Sequence, residues 1–126
     1  MKQANNVIRI PTSIDGKFFR YWIEFLKPFH NLTDRETEVA AEFLKQRYTL
    51  SKVISDNDIL DRVAMSEETK RKVREECKIS LPHFQVIMGK LRKSGILENE
   101  KLNPRFIPNI TSEKGAFNLL FFFDLQ

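Results

Sequence analysis

A mainly helical fold carrying a small β-sheet is what this sequence predicts, on three observations. Ser80 stands before Leu81-Pro82, and the apolar residues Phe84, Ile87, Met88 and Leu91 follow at i, i+3, i+4 and i+7. With an N-cap serine, a first-turn proline, Arg92 and Lys93 in the last turn and Gly95 beyond them, both ends of a helix are marked. Thr33-Asp34-Arg35-Glu36 is a capping box, which opens a second helix striped by Val39, Ala40, Phe43 and Leu44. Ile96 and Leu97, the polar Glu98–Lys101 and the run from Leu102 then read as two short strands about a turn.

Taken in order, the chain divides into an arm with an aromatic helix (1–32), a central domain (33–110) and a C-terminal apolar strand (111–126). Val7-Ile8-Arg9-Ile10-Pro11 alternates and ends at proline, as a short strand or extended arm does, and Asp15-Gly16 marks a turn. Lys17 to Lys27 gathers Phe18, Phe19, Tyr21, Trp22, Ile23, Phe25 and Leu26, a helix apolar on nearly every side that Pro28 ends. The Thr33 helix runs toward Leu50. Ser55, with Asp58 three residues on, starts a short helix ending near Met65, and Ser66-Glu67-Glu68-Thr69 starts the next, with acids first and bases later. Cys77-Lys78-Ile79 is the tight turn into the Ser80 helix. Leu102–Ile110 returns as the second strand, confined to a sheet edge by Pro104 and Pro108. Thr111–Gly115 links to Phe117-Asn118-Leu119-Leu120-Phe121-Phe122-Phe123, a strand too apolar to remain a free edge.

Helix, turn, helix, glycine and short strand, with the Ile79-Ser80 opening, the Ile87–Leu91 pair and the Lys93-Ser94-Gly95-Ile96-Leu97 exit, resemble the recognition helix and wing of a winged helix-turn-helix domain. Leu102-Asn103-Pro104 after that wing is similar to the winged-helix part of plasmid replication initiators. Leu32 to Val39 resembles the first helix of the LuxR-type DNA-binding domain. It departs from that family because residues 50–78 intervene before the recognition helix and the expected glycine is absent, so that likeness is one of capping chemistry rather than membership. The resemblance implies binding of double-stranded DNA, in transcription regulation or replication initiation of a phage, plasmid or bacterium.

At 126 residues, 41% hydrophobic and 30% charged, the chain suffices for one folded domain with a real core. No apolar stretch approaches the roughly 20 residues a membrane helix needs, and the polar Met1–Asn6 is no signal peptide. Cys77 stands alone and forms no internal disulfide, so the expected setting is reduced and cytoplasmic, away from membranes. Net charge is +4 and unevenly placed. Residues 66–105 hold ten Lys/Arg against six Asp/Glu, whereas residues 1–65 hold ten against nine. The excess falls on the segment that a helix-turn-helix would turn toward phosphates.

Catalytic readings find little support. There is no glycine-rich phosphate loop, no Cys/His metal spacing and no nucleophile elbow, and His30 and His83 are the only imidazole bases. No cofactor, metal or catalytic residue is expected. With the apolar stripe of the Ser80 helix turned inward, Ser80, His83, Gln85, Val86, Gly89, Lys90 and Lys93 remain on its other face. His83 and Gln85 are the expected base readers, Gln because it pairs with adenine N6 and N7. Lys70, Arg71, Lys72, Arg74, Lys78, Lys90 and Lys93 are expected to meet phosphates, and Lys101 and Arg105 to act on the wing. The apolar terminus (Phe117, Leu119, Phe121, Phe122, Phe123), with Trp22 and Phe19, is the expected interface of a homo-oligomer. The competing expectation is a phage or bacterial structural or assembly adaptor that uses the winged helix for protein–protein contacts in a homo-oligomer.

Overall fold

A computed structural model describes residues 7–126 of the chain; the polar run Met1–Asn6 lies outside the described residues. The fold is mainly helical with one small antiparallel sheet. The elements run α1 (Phe18–Phe25), α2 (Lys27–His30), α3 (Asp34–Ser51), α4 (Asn57–Ala64), α5 (Glu67–Glu76), α6 (Leu81–Ser94), β1 (Leu97–Glu98) and β2 (Lys101–Leu102). A 3₁₀ turn at Pro104–Phe106 follows.

Helix α3 is the axis. Its capping box is formed on both sides, Thr33 Oγ1 accepting from the Glu36 N–H and Glu36 accepting from the Thr33 N–H at 3.1 Å. Val39, Ala40, Ala41, Phe43 and Leu44 bury its inner faces, and α1, α4, α5 and α6 all pack on it. The two alanines let neighbouring helices approach closely. Phe43 meets Phe84 of α6 with ring centroids 6.2 Å apart, and Val73 of α5 is fully enclosed. Phe19 and Ile23 of α1 belong to the same core as Phe84 and Leu91.

Several elements differ from expectation, each for a non-local reason. Of the two forms expected for Val7–Pro11, the strand is absent: residues 7–13 have no regular structure, because alternation needs a neighbouring ladder and among the described residues the sheet is β1–β2. Helix α1, apolar on nearly every side, buries one of them: Phe19 and Ile23 are buried one turn apart, while Phe25 stands exposed. Pro28 does not simply end that helix; it occupies the first turn of α2, where its missing N–H costs nothing. Asp56, not Ser55, caps α4, its Oδ1 accepting from Ile59 N at 3.0 Å. The second strand stops at Leu102, where Asn103 Oδ1 accepts the Arg105 N–H and turns Pro104 into the 3₁₀ segment.

The C-terminal strand is also absent: residues 116–126 have no regular structure. Phe117 packs edge-on against Phe18 and Trp22, with centroids 5.1 and 5.6 Å away, and Leu119 is half-buried. Leu120, Phe121, Phe122, Phe123 and Leu125 face outward. Phe19 has 3% exposure and is spent on this chain's own packing, so it leaves the set a second subunit would meet; Trp22 is half-buried.

Candidate nucleic-acid interface

The pair α5–α6 is set by its turn. Cys77 closes α5, and Lys78 adopts a left-handed backbone with φ of 55°. Arg35 of α3 donates to the Lys78 carbonyl at 3.2 Å, which ties this strained residue to the central helix. Ser80 then accepts from the His83 N–H and caps α6. Its hydroxyl oxygen is engaged at the helix start rather than projecting free. Phe84, Ile87, Met88 and Leu91 are all buried, and Gly95, with φ of 89°, ends the helix in the left-handed conformation glycine tolerates.

The sequence-predicted residues distribute unevenly around this frame. Lys90 and Lys93 are exposed on α6, and among the described residues neither has a carboxylate within ion-pairing distance. Lys78 is exposed and Arg74 half-buried, likewise without a carboxylate partner. The other α5 cations are engaged along their own helix: Lys70 with Glu67 (3.8 Å), Arg71 with Glu68 and Glu75 (3.3 and 3.2 Å) and Lys72 with Glu68 (4.0 Å). Such exposed intrahelical pairs are worth only about 0.3–0.5 kcal/mol, so a phosphate can displace them. Lys101 lies opposite Glu98 in the hairpin register. Arg105 sits over the ring of Phe29, in α2, at 5.7 Å.

His83 and Gln85 are both exposed, but they do not share a face. Two positions along an α-helix are roughly 160° apart around the axis, which places them on opposite flanks of α6. Gln85 lines an open cleft between α5 and α6, together with Leu81, Met88, Arg74 and Arg92. His83 lies on the other flank with Lys90. Arg92, which as a last-turn cation complements the helix dipole, stands seven residues from Gln85, and that spacing puts the two in one row. It also reaches Glu100 in the hairpin turn at 3.3 Å, tying α6 to that turn.

Cys77 and His30 are both engaged in the packing. Burial, with Glu42 and Glu38 nearby, pushes the Cys77 thiol up to about 11, which keeps it protonated at neutral pH. His30 is buried between two backbone groups: Leu32 N donates to Nδ1 at 3.0 Å, so Nε2 carries the proton it donates to the Ile23 carbonyl at 2.6 Å. It is a staple closing the α1–α2 corner. Among the described residues no group of three or more His, Cys, Asp or Glu side chains is placed to hold a metal ion, and no helix is long and apolar enough to cross a membrane. Comparison of the chain with protein-family models, curated proteins and solved structures found no match to any of them.

Proposed function

We propose that this protein is a non-enzymatic winged-helix DNA-binding protein acting in transcription regulation or replication initiation of a phage, plasmid or bacterium. Helices α5 and α6 are the helix-turn-helix, α6 is the recognition helix, and the β1–β2 hairpin is a short wing. The observation that carries this reading is the division of α6. Its apolar stripe is consumed by the core, while Lys90 and Lys93 stand outward and, among the described residues, have no carboxylate within ion-pairing distance. Arg74 and Lys78, on the adjoining helix and turn, extend the same cationic surface. A B-DNA major groove admits one α-helix, and cations flanking that helix position it on the phosphates. The test is a fluorescence-anisotropy titration with random-sequence duplex at two salt concentrations. Micromolar binding that weakens steeply with salt supports the proposal; binding weaker than millimolar, or insensitive to salt, overturns it.

A second reading rests on the C-terminal segment. Leu120 is 72% exposed, Phe122 82% and Phe123 85%, which is more apolar surface than a short tail ordinarily leaves in water. An assembly adaptor that docks this segment on another subunit or a partner would cover it. Charge reversal at Lys90 and Lys93 separates the two readings. It abolishes DNA binding and spares assembly under the first; under the second, deletion of residues 118–126 abolishes assembly while the reversal is silent.

A further inference from the structure

The outermost row of α6 holds a single cation, Lys93, at its C-terminal end. Pro82, Val86, Gly89 and Lys93 fall at i, i+4, i+7 and i+11, directly opposite the buried stripe, and all four are exposed. Val86 is 60% exposed, in the middle of a helix whose other apolar side chains, apart from Leu81 and Pro82 in its first turn, are buried. Gly89 is the more telling residue. A glycine inside a helix weakens it relative to alanine, so a fold that keeps one usually needs the space. Here a methyl group added at Gly89 would meet nothing within 4 Å, and its backbone is ordinary helix. The fold itself gives no reason for glycine at this position. A ligand pressed against the helix would.

We infer that Val86 and Gly89 form a base-reading seat in which Val86 packs on the C5-methyl of thymine and Gly89 lets the edge of a base pair approach the helix backbone. The inference rests on the DNA-binding reading above and specifies what that surface recognises. The charge around the seat complements the phosphates of nucleic acid. Lys90 and Lys93 follow Gly89 on the same side of the helix, and among the described residues neither is ion-paired, so another copy of this face would be repelled. Apolar contact with the thymine methyl is one of the direct readouts the major groove offers, and a β-branched side chain without polar atoms suits it. The expected readers His83 and Gln85, lying on the two flanks, then contact the walls of the groove rather than its floor.

The experiment uses a duplex pool that the protein itself enriches from random sequence, amplified once with dTTP and once with dUTP. The two products differ only in the thymine methyl groups. The wild-type chain is expected to bind the uracil pool weaker by roughly fourfold for each methyl contacted. Val86→Ala is expected to lose that discrimination while keeping salt-dependent binding. Gly89→Ala is expected to raise Tm by a few degrees and to weaken DNA binding at least tenfold, a pairing that a purely structural role would not produce. Equal wild-type binding to both pools overturns the inference and leaves the DNA reading standing. So does a Gly89→Ala chain that is more stable and binds DNA as well as wild type, or one whose only change is oligomeric state. Failure to enrich any pool overturns the DNA reading itself, and this inference with it.

Discussion

The indole Nε1 of Trp22 donates to the backbone carbonyl of Phe106 at 2.7 Å, across 84 residues of sequence. This contact ties α1 to the 3₁₀ turn that follows the hairpin, while the ring face of Trp22 supports Phe117. One side chain thus holds the beginning and the end of the core together. Trp22→Phe retains an aromatic ring against Phe117 but leaves the Phe106 carbonyl without its donor. The expected loss is about 1–2 kcal/mol, read as a lower urea midpoint at unchanged m.

His30 makes a comparable closure over a shorter span. Its ring satisfies the Ile23 carbonyl and the Leu32 N–H at once, inside a corner where water has little access. His30→Ala removes both partners and leaves a cavity, at an expected cost of about 2–4 kcal/mol by chemical denaturation. His83→Ala, on the exposed flank of α6, is expected to change stability by less than about 0.5 kcal/mol. A large effect at His83 and none at His30 would contradict this assignment of the two imidazoles.

Glu42 gives the fold a pH dependence of definite sign. Burial raises its carboxyl above the ordinary value of 4.5, while the Gln46 amide and Lys45 oppose the shift in part. The folded state therefore holds this proton more tightly than the unfolded chain does. The resulting stabilisation is complete below the unfolded value and is lost as pH rises through the folded one. Glu42→Gln keeps a carbonyl for Gln46 to donate to and removes the buried charge. The variant is expected to melt higher than wild type at pH 7, with the difference shrinking toward zero below pH 4.5. A difference independent of pH would assign the effect to packing instead.

What the sequence made legible was local. The caps at Thr33, Ser66 and Ser80, the stripe from Phe84 to Leu91 and the glycine at 95 each depend on neighbours within a turn or two, and all are in place. The apolar terminus was misread as a strand because pairing depends on a distant partner, and the two-stranded sheet offers it none. Pro28 was misread for a related reason: proline blocks a continuing helix and favours a starting one, and which applies depends on how the chain leaves Leu26. Separating His83 from Gln85 required no structure, since helical spacing alone sets them on opposite flanks. Choosing base readers by residue type and closeness to the N-terminus overlooked that angle.

The hairpin turn supplies the last prediction. Asn99 and Glu100 both have positive φ, 55° and 59°, the conformation of a two-residue type I′ connection between Leu97-Glu98 and Lys101-Leu102. Asparagine tolerates that region and glutamate does not, at a cost of about 1–2 kcal/mol. Glu100 returns part of this through its exposed contact with Arg92, worth at most about 1 kcal/mol. Glu100→Gly creates the Asn-Gly pair such turns favour, so the strain relief is expected to match or exceed the lost ion pair and Tm is expected to rise or stay level. The same change frees the Arg92 guanidinium in the cleft beside Gln85 and removes one negative charge near α6. If that surface meets phosphates, DNA affinity rises and its salt dependence steepens. Glu100→Gln separates the two effects: it frees Arg92 and keeps the strain, so it is expected to tighten DNA binding without raising Tm. Tighter binding by neither variant, with the fold intact in both, would mean that Arg92 lies outside the binding surface.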